Sequence, residues 1–423
     1  MSERHSISLP DPETAFRIQV SYAFSYSPFY RSRFLDAGIS EQEIEYLGLA
    51  DVERFPIVEA QDLREHWREM SVIGENAFRA TTSGGTTGMP KLMVRTRSDW
   101  ALSVDSHVRV LEIGGLRRHH RLLIALPFDC WCVGFLTMDA CREIGCMAIP
   151  VGVRMDDEAV LDFVDRFDVN AVVASPSRWA YLTTLRPDLC RRRKGLLMLL
   201  AGEPISDRVR DMLSAVWQGK VRSLYGSEET DGLGCECGQG AIGCHILTDR
   251  FLFEVIGSDC HKPQINSGKG ELIITSLYHQ GTPLIRYRLG DIVEISTEAC
   301  PCGRQEPKVR VLGKADEMLV FRDATRLFGY QLEEVLFSAI AMRGEFQAIA
   351  RNESNGREVL EVRLGQGVDI PNESDLVIEA LLHSHPDIAD SVSMGMLRVL
   401  VTRGSFEGCE TTKGKRRRFV DLR

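Results

Sequence analysis

Apolar runs and helix-length polar stretches alternate between residues 121 and 226, and this rhythm restricts the fold more than any other feature of the chain. The apolar runs end in proline, glycine or a polar turn, and they read RLLIALPF, GCMAIPVG, VNAVVASP, GLLMLLAGEP and KVRSLYG. Such runs are typical of strands buried on both faces. Stretches with helical periodicity, such as MDDEAVLDFVDRF and SDRVRDMLSAVW, lie between them. The pattern predicts βα units and a mainly parallel sheet.

The pattern changes on both sides of this region. Near the beginning, AFRIQVSYAFSYSPFYRSRFLDAGI has apolar residues at helical intervals and predicts a helical entry segment. From Glu254 onward, short strands with turns predict a smaller and more antiparallel β unit. The last part mixes helices and strands. We therefore predict an α/β fold with mainly parallel sheets, a smaller antiparallel unit and a small α+β domain at the end.

Size and charge exclude several classes of protein. A chain of 423 residues with 44% hydrophobic residues buries a large core and is long enough for two or three domains. It has neither a run of about 18 uncharged apolar residues nor a segment like a signal peptide, so we expect a cytoplasmic protein without a membrane partner. The net charge of -9 argues against a nucleic-acid partner. The closing KGKRRRFVDLR is locally basic, and a solvated tail is its simplest interpretation.

The stretch TTSGGTTGMPKLMVRT, residues 81–96, places glycines beside many hydroxyl side chains. Glycine allows the backbone to approach a ligand closely, so that exposed N–H groups face an anion. Hydroxyl groups and one ammonium group add donors, and they belong to Ser83, Thr86, Thr87 and Lys91. Together they predict a cradle for a polyphosphate. A proline before the lysine and a strand after it distinguish the stretch from the usual P-loop, and a flexible surface turn is the alternative.

Twelve cysteines in a chain of this kind do not favour a disulfide framework. Two segments cluster thiols with an imidazole: GCECGQGAIGCHI contains Cys235, Cys237, Cys244 and His245, and EACPCGR contains Cys300 and Cys302. Two such segments separated by a long loop resemble a structural zinc site. Neither has Cys-x-x-Cys spacing, so unligated cysteines remain the alternative. The cysteines in mostly apolar contexts are predicted to be buried, and they are Cys130, Cys132, Cys141, Cys146 and Cys190.

The order of the short motifs resembles the adenylate-forming superfamily of acyl- and aryl-CoA synthetases. These motifs are SGGTTGMPK, AGEP, YGSEE, YRLGD, GKADEM and the terminal KGKRRRFVDLR. The segment YSPFYRSRFLDAGI, the Cys/His clusters and the VDLR ending narrow the resemblance to the phenylacetate-CoA ligase branch, over almost the entire chain. The resemblance implies an ATP-dependent, AMP-forming acid–thiol ligase with Mg²⁺. Such an enzyme joins a carboxylic acid to AMP, releases pyrophosphate, and transfers the acyl group to a thiol, most simply coenzyme A.

The resemblance also implies roles for individual residues. Lys91, Glu229 and Lys415 correspond to catalytic positions, with Glu229 also as the magnesium ligand and Lys413 as the alternative to Lys415. Nucleotide contacts are implied for Ser83, Gly84, Gly85, Thr86, Thr87, Gly88, Gly202, Glu203, Pro204, Tyr225, Gly226, Asp291 and Lys314. In this scheme the glycine-rich loop holds the β- and γ-phosphates, Tyr225 packs against adenine, and Asp291 accepts hydrogen bonds from the ribose hydroxyls.

The resemblance divides the chain at a hinge near Asp316. Residues 1–315 would form an adenylation domain with the ATP, acyl and zinc sites. Residues 316–423 would form a mobile lid that alternates between an adenylation pose and a transfer pose. The zinc ligands implied are Cys237, His245, Cys300 and Cys302, with Cys235 and Cys244 as alternatives.

The sequence departs from the family pattern at three positions. Glu228 replaces a Ser or Thr, and Lys314 replaces an Arg, which loses a planar two-pronged contact. Asp323 replaces the glycine of an Arg-Gly turn near the pantetheine channel, and this puts transfer to coenzyme A in doubt. A carrier protein or an amine is therefore an alternative acceptor, and a non-catalytic nucleotide-binding relative is a third hypothesis.

The sequence says less about which carboxylic acid is the substrate. Aromatic side chains in LPFDCWCVGF would suit an aryl or arylacetic acid, although core packing explains them equally well. They are Phe128, Trp131 and Phe135. We expect an aromatic carboxylic acid as the substrate, and a homodimer is one oligomeric state that the sequence leaves open.

Overall fold

The computed structural model describes residues 7, 9–83, 90–205, 207–257, 262–315, 318–340, 346–365, 371–405 and 419–423, without the side chains of Tyr330 and Phe337. These residues divide into two compact units. The first holds the described residues up to Leu289 together with 293–311, and the second holds 290–292 and those from Leu312 onward. No helix within these ranges is long and apolar enough to cross a membrane.

The first unit begins with the predicted helical segment. Its helices are α1 (Pro12–Tyr26), α2 (Pro28–Asp36), a 3₁₀ helix (Leu49–Arg54), α3 (Ala60–Glu65) and α4 (Trp67–Met70). The carboxylate of Asp11 caps α1 by accepting a hydrogen bond from the Thr14 amide at 3.1 Å. Proline follows the cap residue in both α1 and α2, where its missing N–H costs no helical hydrogen bond.

A β-hairpin and a long helix follow. The strands β1 (Ala77–Thr82) and β2 (Leu92–Thr96) pair antiparallel and flank the glycine-rich loop. The Ser83 amide donates to the Lys91 carbonyl at 3.1 Å, which extends the pairing of the hairpin by one step toward the glycine-rich loop. The hydroxyl of Thr96 then caps α5 (Arg97–Ile113) by accepting from the Asp99 amide at 3.1 Å.

The predicted alternation of strands and helices is confirmed between residues 121 and 227. The elements are β3 (Arg121–Ala125), α6 (Val133–Ile144), β4 (Met147–Pro150), α7 (Asp157–Arg166), β5 (Ala171–Ala174), α8 (Pro176–Leu185), α9 (Pro187–Arg192), β6 (Leu197–Leu200), α10 (Asp207–Trp217) and β7 (Lys220–Ser227). β3 pairs parallel with both β4 and β5, and the parallel pairing continues through β6 to β7.

Both faces of this parallel sheet are buried. Val172 and Ala174 of β5 pack into one hydrophobic cluster, whereas Ala171 and Val173 pack into another. Side chains along a strand point alternately to opposite faces, so a sheet covered on both sides needs apolar residues at every position. This explains why these strands appear in the sequence as uninterrupted apolar runs.

The antiparallel region continues from β7. Its strands are β8 (Asp231–Cys235), β9 (Cys244–Ile246), β10 (Phe251–Ile256), β11 (Gln264–Ile265), β12 (Gly268–Ser276), β13 (Tyr287–Ser296) and β14 (Lys308–Lys314). β7 pairs antiparallel with β8, β8 with β9, and β9 with β14. The sheet therefore runs in the order β11-β10-β12-β13-β14-β9-β8-β7-β6-β5-β3-β4. The structure confirms the α/β fold with parallel and antiparallel parts, and it adds that one hydrogen-bonded sheet contains both.

The second unit contains the α+β elements predicted for the last part of the chain. They are β15 (Met318–Val320), β16 (Arg326–Phe328), α11 (Gly329–Ile340), β17 (Phe346–Asn352), β18 (Glu358–Leu364), α12 (Glu373–Ser384), α13 (Pro386–Ser393), β19 (Leu397–Arg403) and β20 (Phe419–Asp421). A four-stranded sheet has the order β19-β18-β17-β20, in which β17 and β18 are antiparallel and the two outer pairs are parallel.

Candidate active site

Part of the predicted site lies outside the described residues. This part comprises Gly84, Gly85, Thr86, Thr87 and Gly88 of the glycine-rich loop, Asp316 at the predicted hinge, and the lysines Lys413 and Lys415. The two ends of the loop, Ser83 and Lys91, are described. The Ser83 hydroxyl is buried and has no hydrogen-bond partner among the described atoms.

Lys91 and Glu229 form an ion pair between the β1–β2 hairpin and the turn after β7. The Lys91 ammonium contacts Glu229 Oε1, and only 4% of the Glu229 side chain is exposed. The Tyr287 hydroxyl lies 3.2 Å from the same Oε1 and 3.3 Å from Lys91 Nζ. The fold thus brings together two predicted catalytic residues that are 138 positions apart in sequence.

The ionisation of this group follows from its surroundings. Burial opposes ionisation of Glu229, but the positive charge of Lys91 and its hydrogen bond outweigh burial and lower the pKa of Glu229 to about 2. Burial, followed by the negative charge of Glu229, raises the pKa of Tyr287 well above its ordinary value. The site therefore holds an ionised carboxylate beside a neutral phenol that donates a hydrogen bond, and such a carboxylate is a suitable ligand for Mg²⁺.

A close approach of β7 and β8 shapes the turn that carries Glu229. A Cβ on Gly226 would lie 2.0 Å from the Asp231 carbonyl oxygen, so this position requires glycine. The Ser227 amide donates to the Thr230 hydroxyl at 3.1 Å and closes the turn. Tyr225, predicted to contact adenine, lies on β7 with 9% of its surface exposed.

A buried ion pair that the sequence motifs do not reveal lies beside this turn. Arg95 Nη2 is 2.6 Å from Asp231 Oδ1, and both side chains are at most 2% exposed. The signal was present in the sequence, because Arg95 is the one charged residue in the strand run LMVRT. Its partner could not be read from the sequence, since the pair spans 136 positions. Tyr287 was likewise missed as a partner of Glu229.

Glu228, one of the departures from the family pattern, connects the turn to the segment before α6. Its carboxylate oxygens accept hydrogen bonds from the Cys132 amide at 3.0 and 3.2 Å. Burial and the nearby Asp231 charge raise the pKa of Glu228 to about 7, despite the opposing charge of Arg95. The two adjacent glutamates therefore have different environments, and the charge at Glu229 is the better stabilised of the two.

The AGEP segment forms an exposed turn after β6. Gly202 has φ of +85°, a conformation that favours glycine. The Glu203 carboxylate accepts hydrogen bonds from the Ser177 amide at 3.1 Å and from the Ser177 hydroxyl at 2.8 Å, and Pro204 is exposed. The turn is thus tied to the start of α8, and its contact with adenine stays a prediction.

Within the second unit, the structure brings Asp291 and Lys314 together. Lys314 Nζ lies 2.7 Å from Asp291 Oδ1, and the Asp291 side chain is 5% exposed whereas that of Lys314 is 49% exposed. Their predicted nucleotide contacts are not tested by this geometry.

Asp323 lies in the turn between β15 and β16. Its carboxylate accepts hydrogen bonds from the Thr325 amide at 3.0 Å and from the Ser391 hydroxyl. The positive φ in this turn, +66°, belongs to Ala324 rather than to Asp323. Asp323 therefore does not adopt the left-handed conformation that would have required a glycine there.

The aromatic residues near the predicted acyl site pack partly against the core. The Phe128 and Phe135 rings are edge-to-face at a centroid distance of 5.5 Å, and Trp131 is 36% exposed. The Arg79 guanidinium lies 4.5 Å from the Phe135 ring centroid. Of the nearby cysteines, Cys132 is buried as predicted, but the prediction for Cys130 is wrong because this residue is exposed in the loop before α6.

The side chains of Cys237, His245, Cys300 and Cys302 form one cluster, with their ligand atoms within 4.8 Å of one another. Cys237 Sγ and Cys300 Sγ are 3.7 Å apart, and Cys302 Sγ is 3.3 Å from His245 Nε2. Thiolates about 2.3 Å from a tetrahedral zinc ion would be separated by about 3.8 Å. The arrangement therefore fits a zinc ion in size and in donor type.

Hydrogen bonds orient the ligand atoms of this cluster. His245 Nδ1 lies 2.8 Å from the Glu306 carbonyl oxygen, which only accepts, so Nδ1 carries the proton and Nε2 presents its lone pair to the thiols. Although desolvation opposes ionisation, hydrogen bonds from the Cys302 backbone and from Lys308 lower the pKa of Cys300 to about 6. The two alternative ligands are engaged elsewhere, since Cys235 Sγ contacts the Glu236 carbonyl at 3.5 Å and Cys244 Sγ the Ser223 carbonyl at 3.4 Å.

Comparison with known proteins identifies the family. Residues 64–275, half of the chain, match the AMP-binding enzyme family. The chain belongs to this family. The phenylacetate-coenzyme A ligase of Thermus thermophilus is 29% identical over 429 residues, which cover 96% of this chain and 94% of that protein. The phenylacetate-coenzyme A ligase of Escherichia coli K12 is 26% identical over 330 residues, or 74% of this chain and 72% of that protein. The resemblance inferred from the motifs is confirmed for this AMP-binding enzyme.

Solved structures agree on the fold. An open conformation of 2-hydroxyisobutyryl-CoA ligase in complex with 2-HIB-AMP and CoA has a TM-score of 0.73 and 20% identity, covering 96% of this chain and 90% of that chain. The same ligase in its thioesterification state has a TM-score of 0.66 and covers 99% of this chain and 95% of that chain. At this identity the likeness concerns the fold of the AMP-binding enzyme.

Proposed function

We propose that this chain is an ATP-dependent, AMP-forming acid–thiol ligase. It activates a carboxylic acid as an acyl-adenylate, releases pyrophosphate, and transfers the acyl group to coenzyme A. Two relatives called phenylacetate-coenzyme A ligases support this proposal, one of them over almost the entire chain. A carboxylate is a poor acylating agent, and adenylation supplies the leaving group that the thiol then displaces.

The observation that carries the proposal is the Lys91–Glu229–Tyr287 cluster at the end of β7. Adenylation brings negative oxygens together, so the site must supply positive charge and oriented donors. Lys91 has a flexible ammonium group that would bind phosphate oxygens, and the buried Glu229 carboxylate would hold Mg²⁺. Bound magnesium supplies charge neutralisation at the phosphates. Tyr287 keeps the Glu229 carboxylate oriented through its hydroxyl.

The remaining nucleotide contacts are proposed from the resemblance. Asp291 would accept hydrogen bonds from both ribose hydroxyls, a role that suits a carboxylate with two oxygens. Lys314 is then close enough to Asp291 to orient it, given their separation of 2.7 Å. We further propose residues 1–315 as the adenylation domain and residues 316–423 as the lid that supplies Lys415.

We also propose a structural zinc ion at Cys237, His245, Cys300 and Cys302. Four protein ligands leave no position for a substrate, so the ion would connect the segment between β8 and β9 to the loop before β14 rather than take part in catalysis. The proton position on His245 and the thiol separations support this assignment.

The test is pyrophosphate exchange into ATP with a panel of carboxylic acids. We expect an aromatic acid to stimulate exchange and to form a hydroxamate when hydroxylamine is added. Release of phosphate without AMP would contradict the proposal. Adding coenzyme A, a phosphopantetheinylated carrier protein or an amine to the adenylate then identifies the acceptor. Transfer to the carrier protein or the amine alone would show that the chain is an adenylating enzyme for that acceptor rather than a coenzyme A ligase.

A further inference from the structure

The Arg95 guanidinium connects three segments of the first unit. Its Nη1 donates to the Thr81 hydroxyl at 2.7 Å, on β1. Its Nη2 donates to the Glu228 carbonyl at 2.5 Å, in the turn after β7, and to Asp231 Oδ1 at 2.6 Å, at the start of β8. The rigid planar fork of arginine holds these acceptors in one fixed arrangement.

Asp231 is in turn surrounded by further donors. It accepts a hydrogen bond from the Ser103 hydroxyl of α5 at 2.5 Å, and the Cys132 thiol lies 3.3 Å from Oδ1. His279 Nε2 is 3.6 Å from Oδ2. Asp231 has φ of +59°, which is uncommon for a residue other than glycine. The contacts of its side chain stabilise this conformation.

This arrangement determines where the two charged residues of the site lie. Arg95 lies on β2 of the hairpin that also carries Lys91, and its contact with Thr81 ties β2 to β1 of that hairpin. The Glu228 carbonyl that it binds belongs to the residue directly before Glu229. A buried ion pair is weak evidence for a stabilising role, because an apolar pair of similar volume is often equally stable. The contacts to Thr81 and to the Glu228 carbonyl go beyond an ion pair, and they join the two segments that bear the catalytic side chains.

We propose that Arg95, held by Asp231, is a positioning residue of the adenylation site that sets the placement of Lys91 relative to Glu229. The inference rests on the proposed function, because the readout is adenylation. Neither Arg95 nor Asp231 contacts Lys91 or Glu229 through its side chain in the hydrogen bonds of the described residues, so their effect is transmitted by the backbone.

The experiment compares single and double variants. Arg95→Met and Asp231→Asn should each lower the melting temperature, since each leaves a buried charge without its partner. The double variant Arg95→Met/Asp231→Asn removes both charges and should recover most of the melting temperature. If Arg95 positions the site, the double variant still loses about a hundredfold in kcat for pyrophosphate exchange, the size expected for a displacement near 1 Å. Its rate of acyl transfer from a supplied acyl-adenylate should stay at the wild-type level.

The matched control is a second buried pair in the same unit. Arg250 Nη2 is 2.7 Å from Asp105 Oδ2, and Arg250 is fully buried. Arg250→Met/Asp105→Asn should recover stability in the same way but keep wild-type exchange. Wild-type exchange in the Arg95 double variant would overturn the inference.

Two further measurements keep the inference testable if the double variant does not fold or if the wild type shows no pyrophosphate exchange. Arg95→Lys keeps the charge but loses the fork, and we expect a folded protein with exchange reduced on the order of tenfold. Unchanged exchange in this variant would also contradict the inference. Calorimetric titration with Mg²⁺ and a non-hydrolysable α,β-methylene ATP reads nucleotide binding without chemistry. A wild type that binds this analogue but exchanges with no acid refutes the proposed function alone. In that case, weaker binding by Arg95→Lys supports the inference and unchanged binding overturns it.

Discussion

At the residue scale, the two adjacent glutamates of the turn after β7 differ in how strongly the fold favours their ionised form. Lys91 stabilises ionised Glu229 and lowers its pKa to about 2, although burial opposes this. Burial raises the pKa of Glu228 to about 7. Coordination of Mg²⁺ requires a deprotonated carboxylate, so the difference favours Glu229 as the ligand.

We expect Glu229→Gln to lower pyrophosphate exchange by about two to three orders of magnitude, as loss of other charge-stabilising groups does. The measurement is exchange at saturating ATP and acid, with thermal unfolding as a check on the fold. Glu228→Gln is the matched variant, because it changes the neighbouring carboxylate in the same way. Near-normal exchange in Glu229→Gln with a large loss in Glu228→Gln would reassign the metal ligand.

A second residue-scale prediction concerns His107 on α5. Burial lowers the pKa of His107 to about 4, against a smaller opposite effect of Asp231, and its Nε2 contacts the Thr137 hydroxyl at 3.0 Å. In the unfolded chain this histidine titrates near 6.5, so between these values the unfolded state binds more protons. The unfolding free energy should therefore fall as pH is lowered from about 6.5 to 4, by up to about 3 kcal/mol from this group.

The check is urea unfolding at pH 7 and near pH 4 for the wild type and for His107→Gln, which does not take up a proton. The difference in stability between the two proteins should change with pH in the stated direction. An equal loss in both proteins would show that His107 is not held neutral in the folded state.

At the scale of elements, the Cys/His cluster connects strands that adjoin one another in the sheet. His245 lies on β9, which pairs with β14, and Cys300 and Cys302 lie in the loop that precedes β14. Cys237 lies in the segment between β8 and β9. A metal at this point would hold two long connections against the antiparallel part of the sheet.

We expect about one zinc ion per chain and a clear fall in the melting temperature after chelation, because structural zinc binding is coupled to folding. Cys302→Ser should lose the metal and the same stability. Cys244→Ser is the control, since the Cys244 thiol donates a hydrogen bond to the Ser223 carbonyl and lies outside the cluster. Elemental analysis of freshly purified protein that detects no metal would count against the assignment.

At the scale of the whole molecule, we propose that the adenylation step requires a lysine from the last part of the chain, whereas the transfer step does not. If Lys415 neutralises the carboxylate and the α-phosphate during adenylation, Lys415→Ala should remove most of the exchange. It should spare transfer of the acyl group from a supplied acyl-adenylate to coenzyme A.

Lys413→Ala is the matched control, two residues away in the same basic segment. Both half-reactions are measured in both variants. Equal losses of the two half-reactions in Lys415→Ala would contradict the proposal that Lys415 acts in adenylation alone. A larger loss of exchange in Lys413→Ala than in Lys415→Ala would assign the role to Lys413.

The local pattern of the sequence determined most of the elements and indicated candidate residues for the site. The runs that form β3 to β7 were predictable because both faces of that sheet are buried, which leaves apolar residues at every position. The two Cys/His segments could be proposed as metal ligands because thiols and an imidazole cluster there. The choice of four ligands among them, and Gly226 as a nucleotide contact, came from the family resemblance. The family motifs added Lys91 and Glu229.

Only the tertiary structure decided which side chains meet. Tyr287 lies 58 positions from Glu229, and Arg95 lies 136 positions from Asp231. The sequence shows that Arg95 interrupts an apolar strand, but a buried guanidinium is satisfied by whatever acceptors the fold brings to it, here Thr81, the Glu228 carbonyl and Asp231. The tertiary structure also decided that parallel and antiparallel strands join into one sheet at β7. Strand pairing depends on neighbours that are distant in sequence, whereas the periodicity of a segment shows only which faces of that one strand are buried.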